Sequence, residues 1–357
     1  MERRSFLSLA AVPAAPPAGP AAPAPKGRMV AGCQRGPTSD EMLAYFKRHG
    51  VEHICGHPPP SGEKGYWDRA DLSQLRERVE KHGIRLRMIE PEMSSAYISR
   101  AKRASIMLGQ SPDRDRQIEF VCKTIRAAAE AGIPTLKYNL TILGVVRSPS
   151  ATGRGGVKLS TWKLSEAKQD PPLTEAGPMP AEAMWERITY FLDRVIPVAD
   201  EYKIRMACHP HDPGMPPEGF RGVDRVLGTV EGLRKLLSIR ESPYHGLNFC
   251  QGTVAEMLAD PGKEIYSVIG EFAGRKKIFN VHFRNIRGHR DDFVETFPDE
   301  GDVDMWKAML AYKRAGYEGM LMPDHMPTHP GDPGGKQAFA YGYGYIKAMI
   351  QAAEAVD

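Results

Sequence analysis

Four side chains able to bind a metal ion occur at matching places in four successive segments of the chain. They are His209 in RMACHPHD, Cys250 in GLNFCQGT, His282 in IFNVHFRNI and Asp324 in GMLMPDHM. Two imidazoles, a thiolate and a carboxylate around one point form a mixed ligand set for a divalent cation. Taken alone, each residue has a simpler interpretation, as a buried apolar cysteine, a core histidine or a helix-capping aspartate. Their recurrence at the ends of four short apolar runs favours a shared metal site.

These apolar runs belong to a longer alternation of strand-like and helix-like segments. The helix-like segments are amphipathic, as in DLSQLRERVEKHG, where Leu72, Leu75 and Val79 share one face. Strand–helix alternation predicts a parallel sheet, and eight repeats predict a closed (β/α)8 TIM barrel of the α/β class. The candidate ligands then end the fifth to eighth strands, on the face where barrel enzymes build active sites. The predicted strands are Met29–Cys33, Val51–Cys55, Arg85–Ile89, Thr135–Asn139, Arg205–His209, Gly246–Cys250, Ile278–Phe283 and Gly319–Pro323.

One connection, from Val145 to Pro180, is long, polar and broken by Gly and Pro. It follows the fourth predicted strand, which places it on the same face as the candidate ligands. Long connections without a strand or helix pattern are often lids or binding loops, so we predict a lid-like insertion here. A tolerated surface insertion is the alternative. A second Gly/Pro-rich loop, from Pro327 to Gly335, follows the eighth strand on that face.

Residues 1–27 differ in kind from the rest of the chain. The paired arginines of RRSFL are followed by a short apolar stretch and a tail rich in Pro and Ala. This pattern resembles a twin-arginine export signal and predicts a periplasmic protein. The alternative is a disordered leader on a cytoplasmic protein. In both cases residues 28–357 are predicted to form a single barrel domain.

The composition is that of an ordinary globular protein. Of the 357 residues, 41% are apolar and 26% are charged, and the formal net charge is +4. No basic stripe interleaved with aromatic residues indicates nucleic-acid binding. Beyond the N-terminus no apolar run is long enough to predict a membrane span. The five cysteines have no CxxC spacing and do not indicate a disulfide framework.

Several short motifs together resemble the mannonate dehydratases of hexuronate breakdown. The shared stretches are HPHDPG at 209–214, CQG at 250–252, HFRNIRG at 282–288 and PDH at 323–325, followed by AYGYGYIKAM. The resemblance covers most of the chain from about residue 28 and implies a xylose-isomerase-like barrel. It also implies a divalent ion, most often Mn²⁺, and loss of water from D-mannonate to give 2-keto-3-deoxy-D-gluconate. Its metal ligands fall on the four residues named above.

The sequence departs from the family pattern at three positions close to these motifs. His211 precedes Asp212 where the family usually has two acidic residues, and Asp212 is expected to orient a ligand imidazole. Thr253 replaces an expected serine, and Met326 replaces an expected glycine. These differences leave open a dehydratase that acts on another aldonate.

Dehydration of a 2,3-dihydroxy acid requires two proton transfers beside the metal. A base removes the C2 proton, and an acid protonates the departing 3-hydroxyl group. His325 follows ligand Asp324 directly and is the candidate for one of these roles, with orientation of a ligand as its alternative. A tyrosine is the expected partner, either Tyr341 or Tyr343, while at least one tyrosine of the segment is expected to pack against the barrel.

Five further residues are candidates for contacts with the substrate. Arg284 shares a strand face with ligand His282, and its guanidinium suits a carboxylate; a salt bridge to a neighbouring strand is the alternative. The full set is Arg284, Asn285, His211, Asn139 and His57.

Two rival functions stay open on the sequence alone. One is a sugar isomerase or epimerase on the same barrel, although such enzymes use carboxylate-rich ligand sets and a thiolate at Cys250 argues against them. The other is a non-catalytic exported sugar-binding relative. Mn²⁺ is the metal that the resemblance implies, with Fe²⁺ and Zn²⁺ as alternatives. A thiolate with two imidazoles would bind Zn²⁺ more tightly than Mn²⁺ by raw affinity, so metal availability decides which ion is bound. The expected partner is a small sugar acid, with no nucleic acid and no membrane, and a homo-oligomer stays open.

Overall fold

The computed structural model of the protein describes residues 28–167, 172–215 and 219–356. The export-signal hypothesis concerns residues 1–27, which lie outside this described part. Within the described residues the strands, in chain order, are β1 (Val30–Cys33), β2 (His53–Gly56), β3 (Arg85–Ile89), β4 (Thr135–Tyr138), β5 (Ser148–Thr152), β6 (Lys158–Lys163), β7 (Arg205–Cys208), β8 (His245–Cys250), β9 (Ile278–His282), β10 (Ile286–His289), β11 (Asp292–Glu295) and β12 (Met320–Met322).

Eight of these strands close into a barrel in the order β1-β12-β9-β8-β7-β4-β3-β2, with parallel pairing throughout. The (β/α)8 TIM barrel predicted from the sequence is therefore confirmed. Each predicted strand corresponds to an observed one, and the largest difference is at β2. This strand begins at His53 rather than Val51, because the Val51 N–H donates to the Phe46 carbonyl at the end of the preceding helix.

Helices connect the barrel strands and cover the outside of the barrel. In α2, Asp68 caps the first turn in a reciprocal capping box with Asp71, and Leu72, Leu75 and Val79 are buried, as the helical spacing predicts. None of the described helices combines the length and the apolar character needed to cross a membrane. The helices are α1 (Asp40–Arg48), α2 (Arg69–Lys81), α3 (Ala104–Leu108), α4 (Asp113–Glu130), α5 (Ala181–Tyr202), α6 (Val230–Ile239), α7 (Gln251–Ala255), α8 (Pro261–Gly274), α9 (Met305–Arg314) and α10 (Lys336–Ala355).

The other four strands form an antiparallel sheet in the order β10-β11-β6-β5, which we call the rim sheet. Strands β5 and β6 lie within Val145–Pro180, so the expectation of a connection without strands is wrong for this segment. Strands β10 and β11 form a second hairpin, between β9 and α9, that the sequence did not predict. Trp162 of β6 and Phe293 of β11 are paired and buried, and they give the two hairpins a shared apolar contact.

The rim sheet is hydrogen-bonded to the barrel mouth through the loop that follows β12. Lys158 of β6 and Thr328 of that loop exchange two main-chain hydrogen bonds of 2.7 and 3.1 Å. Two charged residues lie at strand ends of this sheet: Arg147 immediately precedes β5, and Glu295 is the last residue of β11. The rim sheet therefore brings side chains from two distant insertions to the carboxyl end of the barrel.

Candidate metal centre and active site

The four candidate ligands lie at the carboxyl end of the barrel, on four adjacent strands. Cys250 and His282 are the last residues of β8 and β9 and are paired in register. His209 directly follows β7, and Asp324 lies two residues beyond β12. Because β7, β8, β9 and β12 are neighbours in the closed sheet, strand pairing brings these residues to one level of the mouth.

The donor atoms of these residues converge. Those of His209, Cys250 and His282 all lie within 4.8 Å of one another, and Asp324 Oδ2 is 3.2 Å from His282 Nδ1. That nitrogen is buried and has no hydrogen-bond partner among the described residues. A buried nitrogen left without a partner is costly, unless its lone pair is used in another way. The set of two nitrogens, one sulfur and one oxygen fits a single divalent cation.

The hydrogen bonds of the two imidazoles determine which ring nitrogen can bind a metal. His209 Nδ1 lies 2.7 Å from the Pro210 carbonyl, so this nitrogen carries the proton and Nε2 keeps its lone pair. Burial, reinforced by the Lys137 charge, lowers the pKa of His209 to about 4, which keeps the ring neutral. His282 Nε2 lies 3.1 Å from Asn248 Nδ2, and the Asn248 oxygen accepts from Asn280 Nδ2. A metal-binding Nδ1 requires both amides to turn over, so that the Asn248 oxygen accepts the Nε2 proton.

Cys250 is fully buried but has a charged neighbour. Burial raises the pKa of this thiol, yet the Arg284 guanidinium and His282 outweigh burial and lower the pKa to about 7. Arg284 Nη2 donates to the Cys250 sulfur over 3.4 Å. A thiolate is the form that binds metals, so a cation beside the sulfur prepares the ligand at neutral pH.

Asp324 is held on both sides of its carboxylate. Its Oδ1 accepts a hydrogen bond of 2.8 Å from the Gln34 amide. Its Oδ2 faces His282 and lies 3.6 Å from His325 Nε2. Burial raises the pKa of Asp324, but His325 and His282 lower it well below its usual range, so the group is anionic.

His325 has a strained backbone and a carboxylate partner. Its φ of +46° lies in the left-handed region, which is uncommon for a residue other than glycine and is often found at functional sites. Its Nδ1 lies 2.7 Å from Glu295 Oε1, while Nε2 faces Asp324. Burial lowers the pKa of His325, but Asp324 and Glu295 raise it to about 10. The side chain is 30% exposed, so the ring borders the open part of the mouth.

Behind the thiolate lies a buried cluster of charges formed by Arg284, Arg147, Asp212, Glu256 and Glu295. Arg284 contacts all three carboxylates, at 3.1 Å for Asp212 and 2.9 Å for Glu256, and Arg147 lies 2.6 Å from Asp212. Burial and the Asp212 charge raise the pKa of Glu256 well above its usual range. A protonated Glu256 beside two carboxylates and two guanidinium groups makes the cluster electrically neutral.

Comparisons with known proteins agree with this geometry. The sequence profile of a family described as D-mannonate dehydratase (UxuA) matches residues 171–356. Mannonate dehydratase 2 of Halalkalibacterium halodurans is 31% identical over 319 residues, which cover 81% of this chain and 88% of that protein. The mannonate dehydratase of Thermotoga maritima is 30% identical and covers 77% of this chain and 82% of its own length. The chain belongs to the mannonate dehydratase family.

Solved structures support the fold of this mannonate dehydratase family member. The crystal structure of mannonate dehydratase from Streptococcus suis serotype 2 superposes with a TM-score of 0.78 at 24% identity, over 92% of this chain and 94% of that one. A structure of L-ribulose 3-epimerase gives a TM-score of 0.55 at 16% identity. The family is metal-dependent, and the described residues of this member include a candidate ligand set.

Three of the residues proposed from the sequence as substrate contacts are used inside the protein. Arg284 is 1% exposed, and both of its terminal nitrogens bind protein carboxylates. The Asn285 amide donates to the Pro298 and Val303 carbonyls and braces the loop before α9. His211 is buried and uses both ring nitrogens for main-chain hydrogen bonds, to the Leu140 carbonyl and from the Leu227 N–H. These internal contacts favour structural roles for the three side chains, and their role as substrate contacts stays a prediction.

The other two proposed contacts stay at the mouth. His57 is exposed, and its Nε2 lies 2.6 Å from the Gln34 carbonyl. Asn139 follows β4, and its amide donates to the Met93 carbonyl over 3.1 Å. Both main-chain contacts fix loops beside the mouth.

The two tyrosines proposed as proton donors lie in different environments on α10. Tyr343 is fully buried, and its hydroxyl lies 2.9 Å from the Cys33 sulfur, which favours core packing over the predicted catalytic role. Tyr341 is 39% exposed and lines a cavity with Arg154 and His329, on the loop that follows His325.

Sequence reasoning missed the residues that surround the ligands. Glu295 and Arg147 lie next to His325, and Gln34 donates to ligand Asp324. Lys137 donates to Gln34, and Glu256 contacts Arg284 beside the thiolate. Gln34 directly follows β1 and Lys137 is the last but one residue of β4, so their position was a usable signal. Arg147 and Glu295 lie in the rim sheet, and nothing in the local sequence indicated their contact.

Proposed function

We propose that the protein is a metal-dependent mannonate dehydratase that converts D-mannonate to 2-keto-3-deoxy-D-gluconate and water. The observation that carries the proposal is the convergence of His209, Cys250, His282 and Asp324 in a member of this family. The departures from the family pattern at His211 and Thr253 do not weaken it, because both side chains are buried and face the charge cluster or the main chain.

The four ligands would hold the cation through His209 Nε2, the Cys250 sulfur, His282 Nδ1 and the Asp324 carboxylate. We propose Mn²⁺ as the resident ion, with Fe²⁺ and Zn²⁺ as alternatives that the same donors accept. When bound, the ion attracts the substrate carboxylate and stabilises the negative charge that forms as the C2 proton leaves.

His325 is proposed as the acid that protonates the departing 3-hydroxyl group. Glu295 holds Nδ1, which turns Nε2 toward the mouth, and two flanking carboxylates keep the ring protonated. Loss of the C2 proton to a base and of the protonated 3-hydroxyl as water leaves an enol, which becomes the 2-keto product. Tyr341 is the proposed second proton-transfer group, since it is the tyrosine of the pair that reaches solvent at the rim. Asn139 and His57 are proposed contacts for substrate hydroxyl groups.

The proposal is tested with purified protein, Mn²⁺ and D-mannonate, by following formation of the 2-keto-3-deoxy acid. Activity is expected to disappear after chelation and to return when Mn²⁺ is added. If D-mannonate gives no product while another aldonate does, the substrate assignment is wrong and the dehydratase chemistry stands. Conversion of a sugar to its ketose or epimer, with no dehydration of any aldonate, would favour an isomerase or epimerase.

We propose that the protein is exported, on the evidence of RRSFL and the Pro/Ala-rich tail within residues 1–27. Replacing both arginines of that motif with lysine is expected to abolish periplasmic recovery. A protein that stays in the cytoplasm with the natural arginines would instead agree with a non-functional leader.

A further inference from the structure

Lys137, on barrel strand β4, carries an ammonium group that is only partly used by the protein. Its Nζ donates to Gln34 Oε1 over 3.1 Å and forms an ion pair with Glu90 Oε2 at 3.7 Å, a distance too long for a hydrogen bond. The side chain is 14% exposed, so part of it is accessible to a ligand. An ammonium group has three donors. Among the described residues the contacts of Lys137 use one of them, so two remain for a ligand.

The position of Lys137 links it to the proposed metal ligands. Gln34, which accepts from Lys137, donates in turn to Asp324 Oδ1 over 2.8 Å. His325 lies on the other oxygen of the same carboxylate, Oδ2. Lys137 and His325 therefore flank Asp324 on opposite sides. A ligand bound in front of Asp324 would meet a cation at one end and the imidazole at the other.

Three arginines near the mouth are engaged by the protein. Arg284 and Arg147 are paired with the buried carboxylates of the charge cluster. Arg35 donates to the carbonyl oxygens of Gly334 and Gly335 and covers the Phe339 ring at 4.2 Å. An anionic substrate needs a cation with free donors, and Lys137 meets that need within the described part of the chain.

We propose that Lys137 binds the carboxylate of the aldonate substrate and selects sugar acids over neutral sugars. This inference rests on the proposed function and extends it, because it assigns the orientation of the substrate. The C1 carboxylate lies toward Lys137, and the 3-hydroxyl group lies toward His325. Negative charge grows on the carboxylate oxygens as the C2 proton leaves, so a fixed ammonium group there stabilises the transition state more than the bound substrate.

The test compares binding of D-mannonate and of its neutral amide, D-mannonamide, to Mn²⁺-loaded protein by calorimetry. In Lys137→Met, affinity for the acid is expected to fall about 10- to 100-fold, the usual value of a charge-assisted hydrogen bond, while affinity for the amide changes little. Lys137→Arg keeps the charge and is expected to retain most of the preference. Lys81→Met, on the exposed last turn of α2, removes the same charge away from the mouth and is the matched control.

Metal content and thermal unfolding of each variant separate a binding role from a structural one. The proposal is overturned if Lys137→Met, with normal metal content, keeps the natural preference for the acid over the amide. It is overturned also if acid and amide weaken equally. Should the natural protein bind another aldonate but not D-mannonate, the same acid and amide pair is made from that aldonate. In that case the assignment of D-mannonate as substrate fails, while the role of Lys137 is still tested. If the natural protein binds no aldonate, both proposals fail.

Discussion

The barrel and the rim sheet bring different chemistry to the same mouth. The barrel strands carry Cys250 and His282 at their ends, with His209 directly after β7, and parallel pairing fixes these nitrogen and sulfur donors at one level. The rim sheet contributes Glu295 and Arg147, which are charged groups that surround His325 and the cluster behind the thiolate. Metal binding is therefore built into the rigid part of the fold, whereas the state of the proposed acid depends on two added hairpins. Metal binding and the protonation of His325 should therefore be separable by mutation.

The largest effect is expected from Cys250→Ser. A hydroxyl group does not ionise near neutral pH, so the site loses its thiolate and metal affinity should fall more than the 10- to 100-fold typical of residues behind a ligand. Metal analysis after dialysis and the dehydration assay measure the change. Cys122→Ser, on α4 away from the mouth, is the control. A Cys250→Ser protein with full metal content would rule out the proposed ligand set.

His325→Asn should reduce kcat by about 10²–10⁴-fold and leave the metal bound, because proton transfer is lost while the four ligands remain. Asparagine is chosen because it tolerates the left-handed backbone conformation better than most residues, so added backbone strain does not contribute to the change in kcat. Steady-state kinetics together with metal analysis provide the measurement. A variant with normal kcat would exclude His325 as the acid.

Glu295→Gln tests the contribution of the rim sheet directly. The amide oxygen still accepts from His325 Nδ1, but the negative charge that holds the proton on the ring is gone. We expect kcat to fall about 10- to 100-fold with unchanged metal content. Loss of the metal in this variant would show that barrel and rim sheet are not separable.

The smallest effect is expected from Tyr343→Phe, which removes the hydroxyl beside Cys33 in the core. The free energy of unfolding should fall by about 0.5–1.5 kcal/mol, the usual contribution of one hydrogen bond, and kcat should not change.

The matched Tyr341→Phe variant, on the exposed side of the same helix, should lower kcat by about 100-fold or more, because the proposed proton-transfer group is lost. Denaturant unfolding and steady-state kinetics on both variants decide which tyrosine is catalytic. A large loss of kcat in Tyr343→Phe, with normal kcat in Tyr341→Phe, would favour Tyr343.

The sequence predicts the barrel and the convergence of the ligands because both depend on local patterns. Short apolar runs mark the strands, and the ligands lie at the ends of those runs, so parallel pairing alone determines where they meet. The burial of Tyr343 also had a signal, since Tyr343, Ile346, Ile350 and Ala353 form one apolar stripe along α10. Helical spacing separates this stripe from Tyr341.

Other features of the site have no local signal. Glu295 reaches His325 because β11 pairs with β6, which joins residues more than a hundred positions apart, such as Phe293 and Trp162. The local sequence of either hairpin does not indicate its partner. Asn285 and His211 look like substrate contacts because their own types allow it, but their partners are main-chain groups that become neighbours after folding.

The two main-chain hydrogen bonds between Lys158 and Thr328 have a mechanical consequence. Thr328 is three residues beyond His325, whose unusual backbone angle depends on the same loop. A displacement of the β5–β6 hairpin is therefore transmitted along a short piece of backbone to the imidazole. The position of this hairpin and the orientation of the proposed acid are thus coupled through the backbone. Water that enters after the hairpin moves away would meet His325 in a non-productive orientation.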